Sequence, residues 1–200
     1  MKVKGGKWIA LTVLLGVVAH ALLLVVIPRI AQSGEVRVND LYFERSLNYL
    51  PFVDGADADK LRAADANPPT PQLPPLREFA RLRPDEAAKY AFPILFPLDL
   101  VMMTFMTAFL AVGCVTFGSY VPWVANRTWL LIALPVLYLV FDFAEDVLLA
   151  WFLKNPDAIS FKGVDGLKLL TAGKLITVAA AYLELAVLAV FAGWTSLRSS

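Results

Sequence analysis

The chain is poor in the residues that most metal and nucleophile chemistry draws on. Its 200 residues hold one cysteine, Cys114, and one histidine, His20. A lone cysteine excludes an intrachain disulfide, and one set among Val, Phe and Gly reads as a small packing residue. A lone histidine excludes bis-histidine haem ligation. No cluster has the spacing of a zinc or iron–sulfur site. Glycine-rich phosphate loops, a serine-nucleophile elbow and internal repeats are also missing. No cofactor or metal is therefore expected, and no catalytic residue is assigned. Charge is scarce as well: 18 basic and 17 acidic residues nearly cancel, which speaks against a nucleic-acid partner.

What the chain does have is long apolar runs. Hydrophobic residues make up 58%, too many for an ordinary soluble domain. They fall in four blocks. Residues 8–27 carry no charge, 94–117 carry Asp99 alone, and 128–153 carry only Asp142, Glu145 and Asp146. Residues 167–194 contain Lys168, Lys174 and Glu184. Each block is long enough to span about 30 Å as a helix, the thickness of a hydrocarbon core.

The expectation is an all-α integral membrane protein with four transmembrane helices and a long extracytoplasmic segment between helices 1 and 2. Its parts are residues 1–27 as a cytoplasmic tail and first helix, 28–92 as the external segment, and 93–200 as helices 2–4 with a cytoplasmic C-terminus. The first block resembles a signal peptide, with Lys2, Lys4 and Lys7 ahead of it and Ala19-His20-Ala21 as a cleavage-like site. Leu22 to Ile27 prolong the apolar run past that site, so a retained helix is the better reading. Lys and Arg mark cytoplasmic flanks, and Lys2, Lys4, Lys7, Arg127 and Arg198 share one side of a four-span topology. Both termini are thus expected in the cytoplasm of a bacterial inner membrane.

The 28–92 segment holds 9 basic and 10 acidic residues, a poor match for a polybasic lipid-binding region. Short helices are expected over 39–50 and 57–66, then an extended proline-rich stretch over 67–75. The Asp54, Asp57 and Asp59 group lacks the alternation of an EF-hand loop and reads as a solvated turn. Pro84-Asp85-Glu86 should start a helix, with Pro first and acids in the first turn. That helix could run through Tyr90 into the second span.

Candidate function lies with the charges inside the spans. Ionised groups at membrane depth are costly and usually face a bundle interior, find partners or carry activity. Four-span topology brings Asp99, Asp142, Glu145, Asp146 and Lys174 to the outer leaflet, with Glu184 deeper and His20 near mid-span. Helical spacing sets Lys174, Thr177, Ala181, Glu184 and Leu188 on one stripe. Asp99, Met103, Met106, Leu110 and Gly113 form another. Clustered carboxylates in low dielectric cannot all ionise cheaply, so protons or a cation should neutralise some of them, and Lys174 is the natural partner of Asp142 or Asp146. Pro135, ahead of Asp142, is expected to kink its helix. Each feature also has a plainer role: an interfacial Asp99, snorkelling Glu145 and Asp146, a register-setting Asp142–Lys174 pair, adaptable packing by Met102, Met103 and Met106, and a hydrogen-bonded His20.

Phe96-Pro97-Leu98-Asp99, Asp142 to Asp146 and Lys174 together resemble a family of uncharacterised bacterial four-span proteins. Members carry Phe-Pro-x-Asp before the second span, Asp-x-x-Glu-Asn in the third and a Lys in the fourth. Asp146 stands where that family has Asn, and its Gly-Arg-containing external segment is not evident around 76–83. The resemblance implies the four-span fold and no activity. Signal peptidase II shares the span count and outer-leaflet aspartates, but its Asn-x-x-Asp-Arg-like and Asn-x-Ala-Asp elements are absent.

Three functions remain open. The first is a non-enzymatic protein whose acidic pocket (Asp99, Asp142, Glu145, Asp146 and Lys174, with Glu184 and His20 in the wider polar network) binds a small ligand, cation or lipid. The second is an accessory or assembly subunit that pairs these charges with a membrane partner or another copy, the small residues Ala172, Gly173, Ala179, Ala180 and Ala181 allowing close approach. The third is an intramembrane hydrolase of lipid or lipid-anchored substrates, with two acids activating one water.

Overall fold

The structure is a computed structural model that describes residues 5–26, 38, 74–125 and 127–198. The expected helices over 39–50 and 57–66, the acidic turn at 54–59 and most of the proline-rich stretch lie outside the described residues. All regular elements among the described residues are helical. They are α1 (Gly5–Ala21, continued by a wider π turn over Leu22–Val26), α2 (Pro75–Leu82), α3 (Pro84–Lys89), α4 (Leu100–Gly118), α5 (Ala133–Lys154) and α6 (Phe161–Arg198).

Three stretches are long and apolar enough to cross a membrane: Gly6–Val26, Pro84–Gly118 and Phe161–Thr195. Their outward faces are lined by exposed Val13, Leu14, Val17, Leu24, Leu169, Leu183 and Val190, an apolar exterior that water would not tolerate on this scale. The chain is therefore a membrane-embedded helical protein. The other long helix, α5, has 22 residues and owes its lower apolarity to its three acids.

Long helices successive in the chain pack antiparallel, which sets α4 and α6 parallel; α4 lies in the centre against α1, α5 and α6, with Met106 at Tyr182 and Gly113 at Leu185, and α5 pairs with α6. Small residues set the close approaches. An added Cβ at Gly113 would collide with Leu185 of α6 and crowd Thr12 of α1, and one at Gly16 would meet the Phe109 ring. At Gly173 it would stand 2.8 Å from two ring carbons of Phe141 on α5. The resulting core runs through Ala19, Met103, Met106, Leu110, Cys114, Tyr138, Ala181 and Leu188, so the methionines and Cys114 act as packing groups.

A second apolar cluster closes one end of the bundle. Leu76, Phe79 and Ala80 of α2 and Ala87 of α3 bury against Leu149, Phe152, Leu153, Ile159 and Leu167, with Val38 among them. Both short helices begin with proline at the first position, where no N–H is needed, and carry acids in their first turns. Arg77 and Arg81 of α2 pair with Asp157 in the turn between α5 and α6, Arg81 donating from Nε at 3.0 Å.

Two expectations are corrected. The Pro84 helix does not run smoothly into the next span, because Phe92 and Phe96, each before a proline, leave helical geometry and break the path ahead of α4. Pro135 does not kink α5. It falls in the first turn, after a 3-10 segment over Thr128–Ile132, where its missing N–H leaves no bond unmade.

Two predictions follow from this packing. Gly173→Val forces the Phe141 ring out of its seat and should destabilise the bundle by about 1–3 kcal/mol, read from denaturant unfolding in micelles. The two arginines beside Asp157 hold its carboxyl below the usual carboxylate range. A depressed folded-state value means that the latch is fully present at neutral pH and fades only as pH falls through and below the ordinary Asp range. Asp157→Asn should raise amide exchange in 75–82 at neutral pH and leave the four long helices unchanged.

Candidate functional site

Asp142, Glu145 and Asp146 occur within five residues of α5, so i, i+3 and i+4 spacing turns them to one side of the helix. That side faces α6 and the entry of α4. All three are buried, at 1%, 2% and 2% exposure, which rules out snorkelling to water in this fold. Asp99 sits at the junction where the proline-broken segment becomes α4, and it is partly exposed.

Lys174 of α6 reaches across to this face. Its Nζ lies 2.8 Å from Asp142 Oδ1 and 2.5 Å from Glu145 Oε2. Glu145 is further held by Thr171, whose hydroxyl is 2.6 Å from Oε1 and 2.9 Å from the Leu167 carbonyl. Thr171 lies one turn before Lys174, so both reach α5 from the same stripe of α6. The ammonium is thus committed to two carboxylates on one helix.

The remaining acids converge beside this pair. Carboxylate oxygens of Asp99, Asp142 and Asp146 all lie within 4.8 Å of one another. Buried Oδ2 atoms of Asp142 and Asp146 have no hydrogen-bond partner among the described residues. Tyr138, buried one turn before Asp142, and Tyr90, at the start of the proline-broken segment, stand within electrostatic reach of the acids. Four carboxyl groups therefore share one ammonium in a water-poor site. Such a set demands further positive charge, as protons or as a bound cation.

Three aspartates from two elements can supply hard oxygen ligands to one ion. Oxygens binding the same Ca²⁺ at about 2.3–2.6 Å can stand no farther apart than roughly twice that distance, which suits these three.

The other two candidates lie elsewhere. His20 donates from Nδ1 to the Gly16 carbonyl at 2.7 Å, which leaves Nε2 to accept from the Tyr182 hydroxyl at 2.8 Å. Phe109 packs edge-on against the ring. The neutral tautomer with its proton on Nδ1 satisfies both bonds, so His20 is an interior hydrogen-bonder between α1 and α6. Glu184, about 15 Å along α6 from Lys174, opens into a separate cleft.

Sequence reasoning missed Thr171, Tyr138 and Tyr90. The first two had a signal, one helical turn from Lys174 and Asp142 respectively. Tyr90 had none, because the proline-broken path decides where it points.

No protein-family model, no curated protein and no solved structure matches this chain.

Lys174→Met removes the ammonium from between buried Asp142 and Glu145 and should cost about 3–5 kcal/mol of stability. Adding Asp142→Asn should recover part of that loss, and a double-mutant cycle in micelles measures the coupling.

Proposed function

We propose that this is a four-span protein of a bacterial inner membrane whose Asp99–Asp142–Asp146 pocket binds a hard divalent cation. The observation that carries the reading is the convergence of three carboxylates within 4.8 Å beside a lysine already engaged by two acids. A divalent ion would relieve the charge excess that Lys174 leaves, and oxygen-only ligands favour Ca²⁺, Mg²⁺ or Mn²⁺ over softer metals.

The four-span reading draws support from the tryptophans. Trp8, Trp123 and Trp129 are exposed near one end of the bundle, and Trp151 is exposed near the other with Phe161. Twenty-two residues separate Trp129 from Trp151, about 33 Å of helix, which matches two interfacial belts with α5 spanning between them. Lys7, Arg127 and Arg198 fall at the end of the bundle where α1 starts and α6 ends, which favours cytoplasmic termini. On that orientation the acidic pocket lies in the outer half of the membrane, roofed by α2 and α3.

Hydrolysis is the second reading, since Asp99 and Asp142 are close enough to share one water. The near-complete burial of Asp142 and Asp146 favours a small ion over a lipid substrate. An accessory-subunit role needs a free small-residue face. Gly173 and Ala181 of that face are already covered within the chain.

The test is thermal unfolding of the purified protein in detergent after chelation, then with Ca²⁺, Mg²⁺ or Mn²⁺ restored. One of these ions at about a hundredfold its dissociation constant should add about 2.7 kcal/mol. Asp146→Asn should abolish that gain while keeping the helical spectrum. No gain with any of the three ions would sink the cation reading and leave shared protons as the neutralising charge.

A further inference from the structure

A second feature of α6 has no role in the acidic pocket. At the end of the bundle where α1 starts and α6 ends, Trp123, Val124, Arg127, Leu130 and Leu131 from between α4 and α5 and the face of α6 around Glu184 line a cleft of about 460 Å³. Its walls are apolar, Leu130, Leu183 and Val187 among them, and these rim residues are exposed, so the cleft opens sideways onto the bundle's apolar exterior. Two charges interrupt it: Arg127 and Glu184. Glu184 Oε2 is buried and has no hydrogen-bond partner, and Arg127 has no ion-pair partner, among the described residues.

These two charges make a specific pattern. A carboxylate oxygen held in an apolar wall needs a donor, preferably a cationic N–H, because leaving it unmade costs most of its desolvation. The guanidinium at the same cleft has the fork geometry that grips phosphate oxygens in pairs. An apolar slot continuous with the membrane, one phosphate-gripping group and one amine-accepting group match a phospholipid with a primary-amine headgroup. A choline headgroup carries the charge but no N–H to donate to Glu184, and a glycerol headgroup carries no cation. Exposed Trp123 and Trp129 stand beside the cleft, at the level where aromatic rings meet headgroups.

We infer that the Arg127–Glu184 cleft is a binding site for one aminophospholipid, ethanolamine type, with its phosphate on Arg127, its ammonium on Glu184 and an acyl chain along Leu183 and Val187. The site rests on the chain being membrane-embedded and is independent of cation binding at Asp99, Asp142 and Asp146.

The experiment reconstitutes the full chain in nanodiscs of phosphatidylcholine with equal minor fractions of phosphatidylethanolamine and phosphatidylglycerol. Native mass spectrometry after release into mild detergent counts the lipids kept. Ethanolamine lipid should be retained at one per chain, enriched about tenfold over its share, the size expected of one charged hydrogen bond. Glu184→Gln and Arg127→Gln should each return retention to the bulk ratio. Arg127 is exposed, so its replacement leaves the fold intact and keeps the test decisive if Glu184→Gln folds poorly. Retention in bulk proportion, enrichment of the glycerol lipid instead, enrichment that survives Arg127→Gln, or a second protein chain in place of lipid would each overturn the assignment.

Discussion

An ammonium held between two buried carboxylates sets how α5 and α6 lie against each other. Lys174 touches Asp142 and Glu145 together, two residues almost one helical turn apart, so sliding α6 by a residue would break at least one contact. A charge pair in a water-poor interior is a weak net source of stability but a strong selector, because every other register strands a charge. Gly173 lets the backbones approach close enough for that reach, with the Phe141 ring lying against it. Thr171 then orients the second acid. Packing and electrostatics specify the same register.

That register has a consequence for the acids Lys174 does not hold. With Asp142 and Glu145 committed, Asp146 turns toward Asp99 at the head of α4, and three carboxylates meet beneath the two short helices. The prolines at 93 and 97 matter here. An unbroken helix from Pro84 into α4 would carry its first residues away along one axis, whereas the path broken at Phe92 and Phe96 leaves Tyr90 within electrostatic reach of the acids and Asp99 beside Asp142 and Asp146. Next to these acids, α2 and α3 seat on Leu149, Phe152 and Leu167 and are tied through Arg77 and Arg81 to Asp157.

The two ends of the bundle thus differ in kind. One end is closed, acidic and capped by amphipathic helices. The other is open to the side, carries Arg127, Trp123 and Trp129, and leaves Glu184 facing an apolar cleft. His20 and Tyr182 join α1 to α6 between them through a hydrogen bond, with the second ring nitrogen of His20 on the Gly16 carbonyl. The same helix, α6, supplies Lys174, Tyr182 and Glu184, so its position on α5 and α4 governs all three levels.

Much of this was readable in the chain. Long apolar runs identify membrane-embedded helices because backbone polar groups in hydrocarbon must be bonded within the segment, leaving few alternatives to a helix. Helical periodicity puts Asp142 and Asp146 on one face with Glu145 beside them, and Lys174, Thr177 and Ala181 on one stripe, since that spacing is a property of the local backbone. What lay beyond the sequence was everything that depends on how two helices meet. Lys174 had two plausible partners, Asp142 or Asp146, and took Asp142 together with Glu145, because inter-helix register depends on side-chain volumes at Gly173 and Phe141. Pro135 carried a kink signal that its place in the first turn of α5 cancelled. Thr171 and Tyr90 entered the site through contacts far apart in the chain. Glu184, read as part of one polar network, belongs to a cleft of its own because 15 Å of helix and the loop through Arg127 separate it from the acids. Local spacing is written residue by residue, whereas partnership between helices is decided only when their surfaces pack.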